Sequence, residues 1–105
     1  MNKDYSVEAK FFRGLADATR LSVLLALINR EKTVGEIVEE AQQSQSNVSN
    51  HLKCLLECGL VKSRRDGKKI YYSVRDSRTK KLLKLSEQVI SKVYSDIEAC
   101  LSYKG

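Results

Sequence analysis

Two short helical segments joined by a tight turn, a strand-forming stretch broken by Asp-Gly, and apolar residues at helical spacing elsewhere predict a mainly α fold with a β-hairpin wing, a winged helix-turn-helix. The chain has 105 residues, 42% apolar and 30% charged, enough for one domain over residues 1–105 with a modest core. No proline and no low-complexity linker interrupts it. No apolar run reaches the roughly 18 residues that a membrane span needs, and Met1 to Lys10 is too polar for a signal peptide. A cytoplasmic protein is therefore expected, and in that reducing setting three cysteines argue against a disulfide framework.

Each element has its own signal. Val7, Phe11, Phe12 and Leu15 recur at helical spacing and predict a first helix from about Tyr5 to Ala16. Asp17 can cap a second, in which Leu21, Leu24, Leu25 and Ile28 give a wide apolar face ending near Asn29. Thr33-Val34-Gly35-Glu36 has the spacing of a capping box, so a short third helix should run to about Ala41. Ser44 can cap a fourth, which turns Val48, Leu52 and Leu55 inward and stops at Gly59. In 60-LVKSRRDGKKIYYSV-74 the Asp66-Gly67 pair signals a hairpin with a type I′ turn, and Ile70, Tyr71, Tyr72 and Val74 are strand formers. Asp76 or Ser77 can cap a long last helix to about Ser102, with Leu82, Leu85, Val89, Val93 and Ile97 as an apolar stripe. A small domain already has a core, so that stripe predicts a dimer seam formed by the first and last helices.

The net charge of +6 favours a polyanionic partner, and its placement sharpens the reading. Ser44, Gln45, Ser46, Asn47, Ser49, Asn50, His51 and Lys53 give the fourth helix polar side chains that can reach base edges or phosphates in a major groove. Arg64, Arg65, Lys68 and Lys69 crowd the hairpin tip, where they would hold the flanking DNA backbone with an affinity that falls steeply with salt. A solvated helix or a solvated basic turn explains either feature alone. Their succession, helix-turn-helix and then basic hairpin, predicts binding to operator double-stranded DNA.

The cysteines raise a second question. Cys54 and Cys58 stand four residues apart in 51-HLKCLLECGL-60, on one helical ridge with His51. Val48 and Leu52 define the buried side, and Cys54 lies more than a right angle away from it, whereas a packing cysteine belongs inside the apolar arc. Two thiols do not close a metal site. Cys100 is the candidate third ligand, although its phase also fits a packed seam residue beside Val89 and Val93. Nucleophilic use of Cys54 with His51 would need an orienting acid and an oxyanion site, and neither is legible, so no enzyme is expected. Oxidation of the thiols to an intersubunit disulfide is an alternative input.

The segments 15-LADATRLSVLLALI-28, 44-SQSNVSNHLKCLLECGLV-61 and 67-GKKIYYSV-74 resemble the ArsR/SmtB family of bacterial metal-responsive winged helix repressors over roughly residues 8 to 100. Ala18 departs from the proline often found there, a loss that the Asp17 cap makes tolerable. The resemblance implies a homodimer that holds its operator when metal-free and releases it when metal binds. Two of the family's metal sites are missing: 34-VGEIVEEA-41 lacks a Cys-x-Cys, and the last helix has no histidine. The spacing in HLKCLLECGLV is similar instead to that of cadmium- and lead-sensing members, which implies Cys54 and Cys58 joined by Cys100 of the other subunit. Three thiolates suit Cd(II) or Pb(II), with Zn(II) or As(III) as alternatives, and the fold itself needs no metal.

Overall fold

The computed structural model describes the backbone over residues 4–104 and the side chains over 4–94 and at 96. The element order is the expected one: α1 (Ser6–Leu15), α2 (Ala18–Ala26), α3 (Val34–Ala41), α4 (Gln45–Glu57), β1 (Val61–Asp66), β2 (Lys69–Val74) and α5 (Ser77–Lys104). The caps lie where the sequence places them. Asp17 accepts from the Arg20 N–H at 2.9 Å, and Ser44 accepts from the Asn47 N–H at 3.1 Å. Thr33 and Glu36 close a full capping box, the Thr33 N–H donating to the Glu36 carboxylate at 2.9 Å. Asp76 caps α5, accepting from the Arg78 N–H at 2.8 Å, and the Arg78 guanidinium beside it holds its carboxyl down at about 2.

Leu24, Leu27, Ile37, Val48 and Leu55 are completely buried where α2, α3 and α4 meet, and Val61 and Val74 extend this core under the hairpin. Gln42 takes left-handed backbone angles, φ 55° and ψ 45°, and so turns the chain from α3 into α4. Gly59, at φ 78°, ends the run through α4 and delivers Leu60 and Val61 to the hairpin.

Four details differ from the expectations. First, α2 stops at Ala26 rather than near Asn29. The Leu27 and Ile28 N–H groups bond to the Leu24 and Leu25 carbonyls, three residues back, tightening the last turn so that the chain can double back. Lys32 then reaches β2: its N–H donates to the Tyr72 carbonyl at 2.9 Å and its carbonyl accepts from the Tyr72 N–H at 2.8 Å. The Lys32 ammonium, buried, donates to the Ala26 carbonyl and lies 3.4 Å from the Glu40 carboxylate.

Second, the hairpin turns on Gly67-Lys68, because Asp66 pairs with Lys69 across the ladder. Gly67 has φ 64° while Lys68 has no positive φ, the combination of a type II′ turn rather than type I′. Third, α5 also enters the core, through Leu83, which lies outside the anticipated stripe. The anticipated stripe faces outward, with Leu85 56% and Val89 53% exposed, and α1 likewise leaves Val7 80% exposed. Fourth, α5 is kinked at Val93, whose φ of −116° and ψ of 19° are not helical. Helical phase counted from Val89 therefore does not carry through to Cys100. The side chains of Ile97 and Cys100 lie outside the described residues.

The core geometry separates two adjacent leucines of α4. Leu55→Ala should cost about 2–5 kcal/mol of stability, because a fully buried side chain leaves a cavity that its neighbours fill only partly. Leu56→Ala should cost clearly less, since that side chain is already 37% exposed. Urea midpoints of the two variants measure the difference.

Candidate nucleic-acid interface and thiol pair

At 3.6 residues per turn, α4 presents three distinct sides. Val48, Leu52 and Leu55 anchor it in the core. Gln45, Ser46, Asn47, Ser49, Asn50 and Lys53 are exposed. Within that group Ser44 is occupied as the cap and lies 3.3 Å from the Ser46 hydroxyl, and the Asn47 amide donates to Gln43 at 3.5 Å. Gln45, Ser49, Asn50 and Lys53 make no side-chain hydrogen bond among the described residues, so their polar groups face water. A helix anchored on one side by aliphatic residues and tipped with uncommitted amides and hydroxyls has the chemistry to read base edges.

The third side carries His51, Cys54 and Cys58. His51 is half-buried, and its imidazole is near enough to Asp17, the cap of α2, to act on that carboxylate. This sets it apart from Ser49 and Lys53, on the flank that looks toward α2. Cys54 is half-buried and Cys58 exposed. The Cys58 N–H donates to the Cys54 carbonyl at 2.9 Å, and the two thiols are near enough for one to act on the other. Partial desolvation pushes the Cys58 thiol up, the adjacent Cys54 sulfur adds to this, and the Arg20 charge offsets part of it. Two neighbouring sulfurs on one helical ridge have the donor chemistry of an incomplete soft-ligand set. Among the described residues no three Cys, His, Asp or Glu side chains are grouped to hold a metal ion.

Arg20 is a charged neighbour of the thiol pair that sequence reasoning missed. Its guanidinium donates to the Gly14 carbonyl at 2.8 Å, and its Nε is buried with no hydrogen-bond partner among the described residues. Gly14, Val7, Lys10, Phe11 and Leu60 line with Cys58 a cleft of about 320 Å³ between α1 and the end of α4. The one available signal was its place three residues after the Asp17 cap.

On the wing, Arg65, Lys68 and Lys69 are exposed and make no ion pair among the described residues. Arg64 is different. Its Nε donates to Glu31 at 2.8 Å and one terminal nitrogen donates to the other carboxylate oxygen at 2.5 Å, while the guanidinium lies 4.8 Å from the centre of the Tyr71 ring. Among the described residues the hairpin thus holds four cations without an ion pair, Lys62, Arg65, Lys68 and Lys69, and one that is paired, Arg64.

Comparison with known proteins agrees with this geometry. A family model described as bacterial regulatory protein, arsR family, matches residues 17–63. A probable mercury resistance operon repressor of Streptomyces lividans is 44% identical over 92% of this chain and 78% of its own. The HTH-type transcriptional regulator CmtR of Mycobacterium bovis is 37% identical over 95% of this chain and 84% of its own. Among solved structures, M. tuberculosis Rv0081 superposes with a TM-score of 0.78 at 33% identity, over 91% of this chain and 97% of that one. The homodimeric winged helix-turn-helix domain of Mb0332 from M. bovis gives 0.68 at 25% identity, over 91% of this chain and 94% of that one.

Proposed function

The chain belongs to the arsR family of bacterial regulatory proteins, as a transcriptional repressor and not an enzyme, and we propose that it is a homodimer released from operator DNA by a soft metal ion. The observation that carries this reading is the thiol pair on the flank of α4, the helix that also carries the exposed polar face. In it one winged helix domain, residues 1–105, holds both the reading surface and the sensor.

Ser44, Gln45, Ser46, Asn47, Ser49, Asn50 and Lys53 would approach the major groove, with Arg65, Lys68 and Lys69 on the flanking phosphates. His51 sits at the margin of this set, and Arg64 contributes through its ion pair. Cys54 and Cys58 would bind the inducer together with Cys100 from the partner subunit. When bound, the ion supplies a thiolate clamp between α4 and the partner's last helix. Anchoring α4 by its C-terminal end would shift the spacing of the two reading helices, which must match successive major grooves about 34 Å apart. A coupling of about 1–3 kcal/mol changes operator affinity by roughly 5- to 150-fold, and by linkage DNA weakens metal binding by the same factor.

Soft thiolate donors favour Cd(II) and Pb(II), and As(III) fits the same donors. The relative named for mercury resistance supports adding Hg(II) to the set. Oxidation of the same thiols is the competing input. A titration of the reduced protein with each ion, followed by ultraviolet thiolate-to-metal charge transfer, tests the reading. Cys54→Ser, Cys58→Ser and Cys100→Ser should each abolish metal-induced release and leave metal-free DNA binding nearly unchanged. Release by a thiol oxidant with no response to metal would favour the redox input instead.

The division of labour on DNA is testable separately. Ser49→Ala or Asn50→Ala should weaken operator binding by about 1–3 kcal/mol with little effect on random DNA. Arg65→Ala should weaken both and reduce the salt slope by about 1. Anisotropy titrations against operator and random duplexes separate the two patterns.

The outward apolar faces of α1 and α5 support a dimer through these helices. Replacing Val89 and Val93 with glutamate should give a monomer in sedimentation, with operator binding lost along with it.

A further inference from the structure

Arg64 is engaged on every nitrogen. Nε and one terminal nitrogen hold the two oxygens of Glu31, and the other terminal nitrogen lies 4.0 Å from the Asp66 carboxylate. The face of the guanidinium stacks on Tyr71, its cross-strand partner. Glu31 is not a drifting surface acid, since the next residue, Lys32, is hydrogen-bonded through its backbone to Tyr72 on the same hairpin. The hydrogen bonds from Arg64, followed by the nearby Lys62 charge, keep the Glu31 carboxyl below its usual range, and so ionised at neutral pH. Strand alternation sends Arg65 to the opposite face of β1, where it makes no ion pair among the described residues.

We propose that Glu31 is a specificity-determining residue that occupies Arg64 in place of a DNA phosphate, leaving the wing's hold on the DNA backbone to Arg65, Lys68 and Lys69. This rests on the DNA-binding reading above and refines it. A cation already neutralised by a fixed carboxylate releases no counterion from DNA, so it adds nothing to sequence-independent affinity. Specificity benefits, because the paired guanidinium fixes the wing against the α2–α3 connection without strengthening binding to random sequence.

The test is the salt dependence of binding to a random-sequence 30-base-pair duplex, read by fluorescence anisotropy over a KCl series. Arg65→Gln serves as the reference for a phosphate contact and should lower the log–log slope by about 0.9. Arg64→Gln should leave the slope at the wild-type value. Glu31→Gln should raise it by about 0.9 and tighten random-DNA binding several-fold at low salt, because Arg64 is then free for phosphate. The double variant Glu31→Gln/Arg64→Gln should return to the wild-type slope, showing that Glu31 acts through Arg64 and not through a change in fold. If Arg64→Gln lowers the slope as Arg65→Gln does, or if Glu31→Gln leaves it unchanged, the proposal is overturned. A wild-type protein that shows no salt-dependent DNA binding would instead overturn the underlying reading, and this refinement with it.

Discussion

The backbone of Lys32 exchanges two hydrogen bonds with Tyr72 of β2, while its ammonium takes the Ala26 carbonyl at the end of α2 and an ion pair with Glu40 of α3. Both the helix-turn-helix and the wing are referred to this one residue. Burying an ammonium is unfavourable unless it is hydrogen-bonded, and here one contact satisfies an end-of-helix carbonyl while the other supplies an opposite charge. The early end of α2, the position of Glu31 beneath Arg64 and the Thr33 cap of α3 all lie next to this bridge in the chain or the fold. A recognition surface divided between a helix and a hairpin needs such a fixed reference, because neither part alone defines the distance between them.

Helix α4 shows how little sequence is needed to keep separate tasks apart. Its 13 residues make fewer than four turns, yet core packing, exposed polar groups and thiols fall on different sides. Cys54 and Cys58 are beside the exposed polar face rather than on it, so in the proposed reading a ligand at the sulfurs need not touch DNA to influence how the helix is held. The same arrangement places Cys58 at the junction with α1, next to Gly14 and close to the Arg20 charge. That end of α4 adjoins the junction of α1 with α2 as well as the hairpin.

Much of this was legible in the sequence because it is governed by local chemistry. Asp17, Thr33 with Glu36, Ser44 and Gly59 mark helix ends by side-chain capping or by backbone freedom, and each acts within a few residues. The aliphatic spacing of α4 likewise identified Val48, Leu52 and Leu55 as its anchor. What remained hidden depends on distant partners. Glu31 and Arg64 are 33 residues apart and meet only because Lys32 bridges to Tyr72, a pairing that no period or motif announces. Leu82 and Leu83 are equally apolar, and the choice between them depends on the approach angle of α5 to the core. The kink at Val93 has no proline or glycine beside it to mark it in the sequence. The turn type was misjudged for a subtler reason: Asp66-Gly67 and Gly67-Lys68 are both acceptable turn pairs, and strand register decides between them.

The outward apolar faces of α1 and α5 have a further consequence in mass action. Val7, Leu85 and Val89 are exposed in one chain and belong to the surface that the proposed dimer would cover. With the faces paired as proposed, assembly depends on the square of the chain concentration, and apparent stability rises with the amount of protein present. Occupancy of a two-half-site operator then climbs more steeply than in proportion to expression. A modest change in the cellular level of the chain would move the regulated gene between states even at constant inducer.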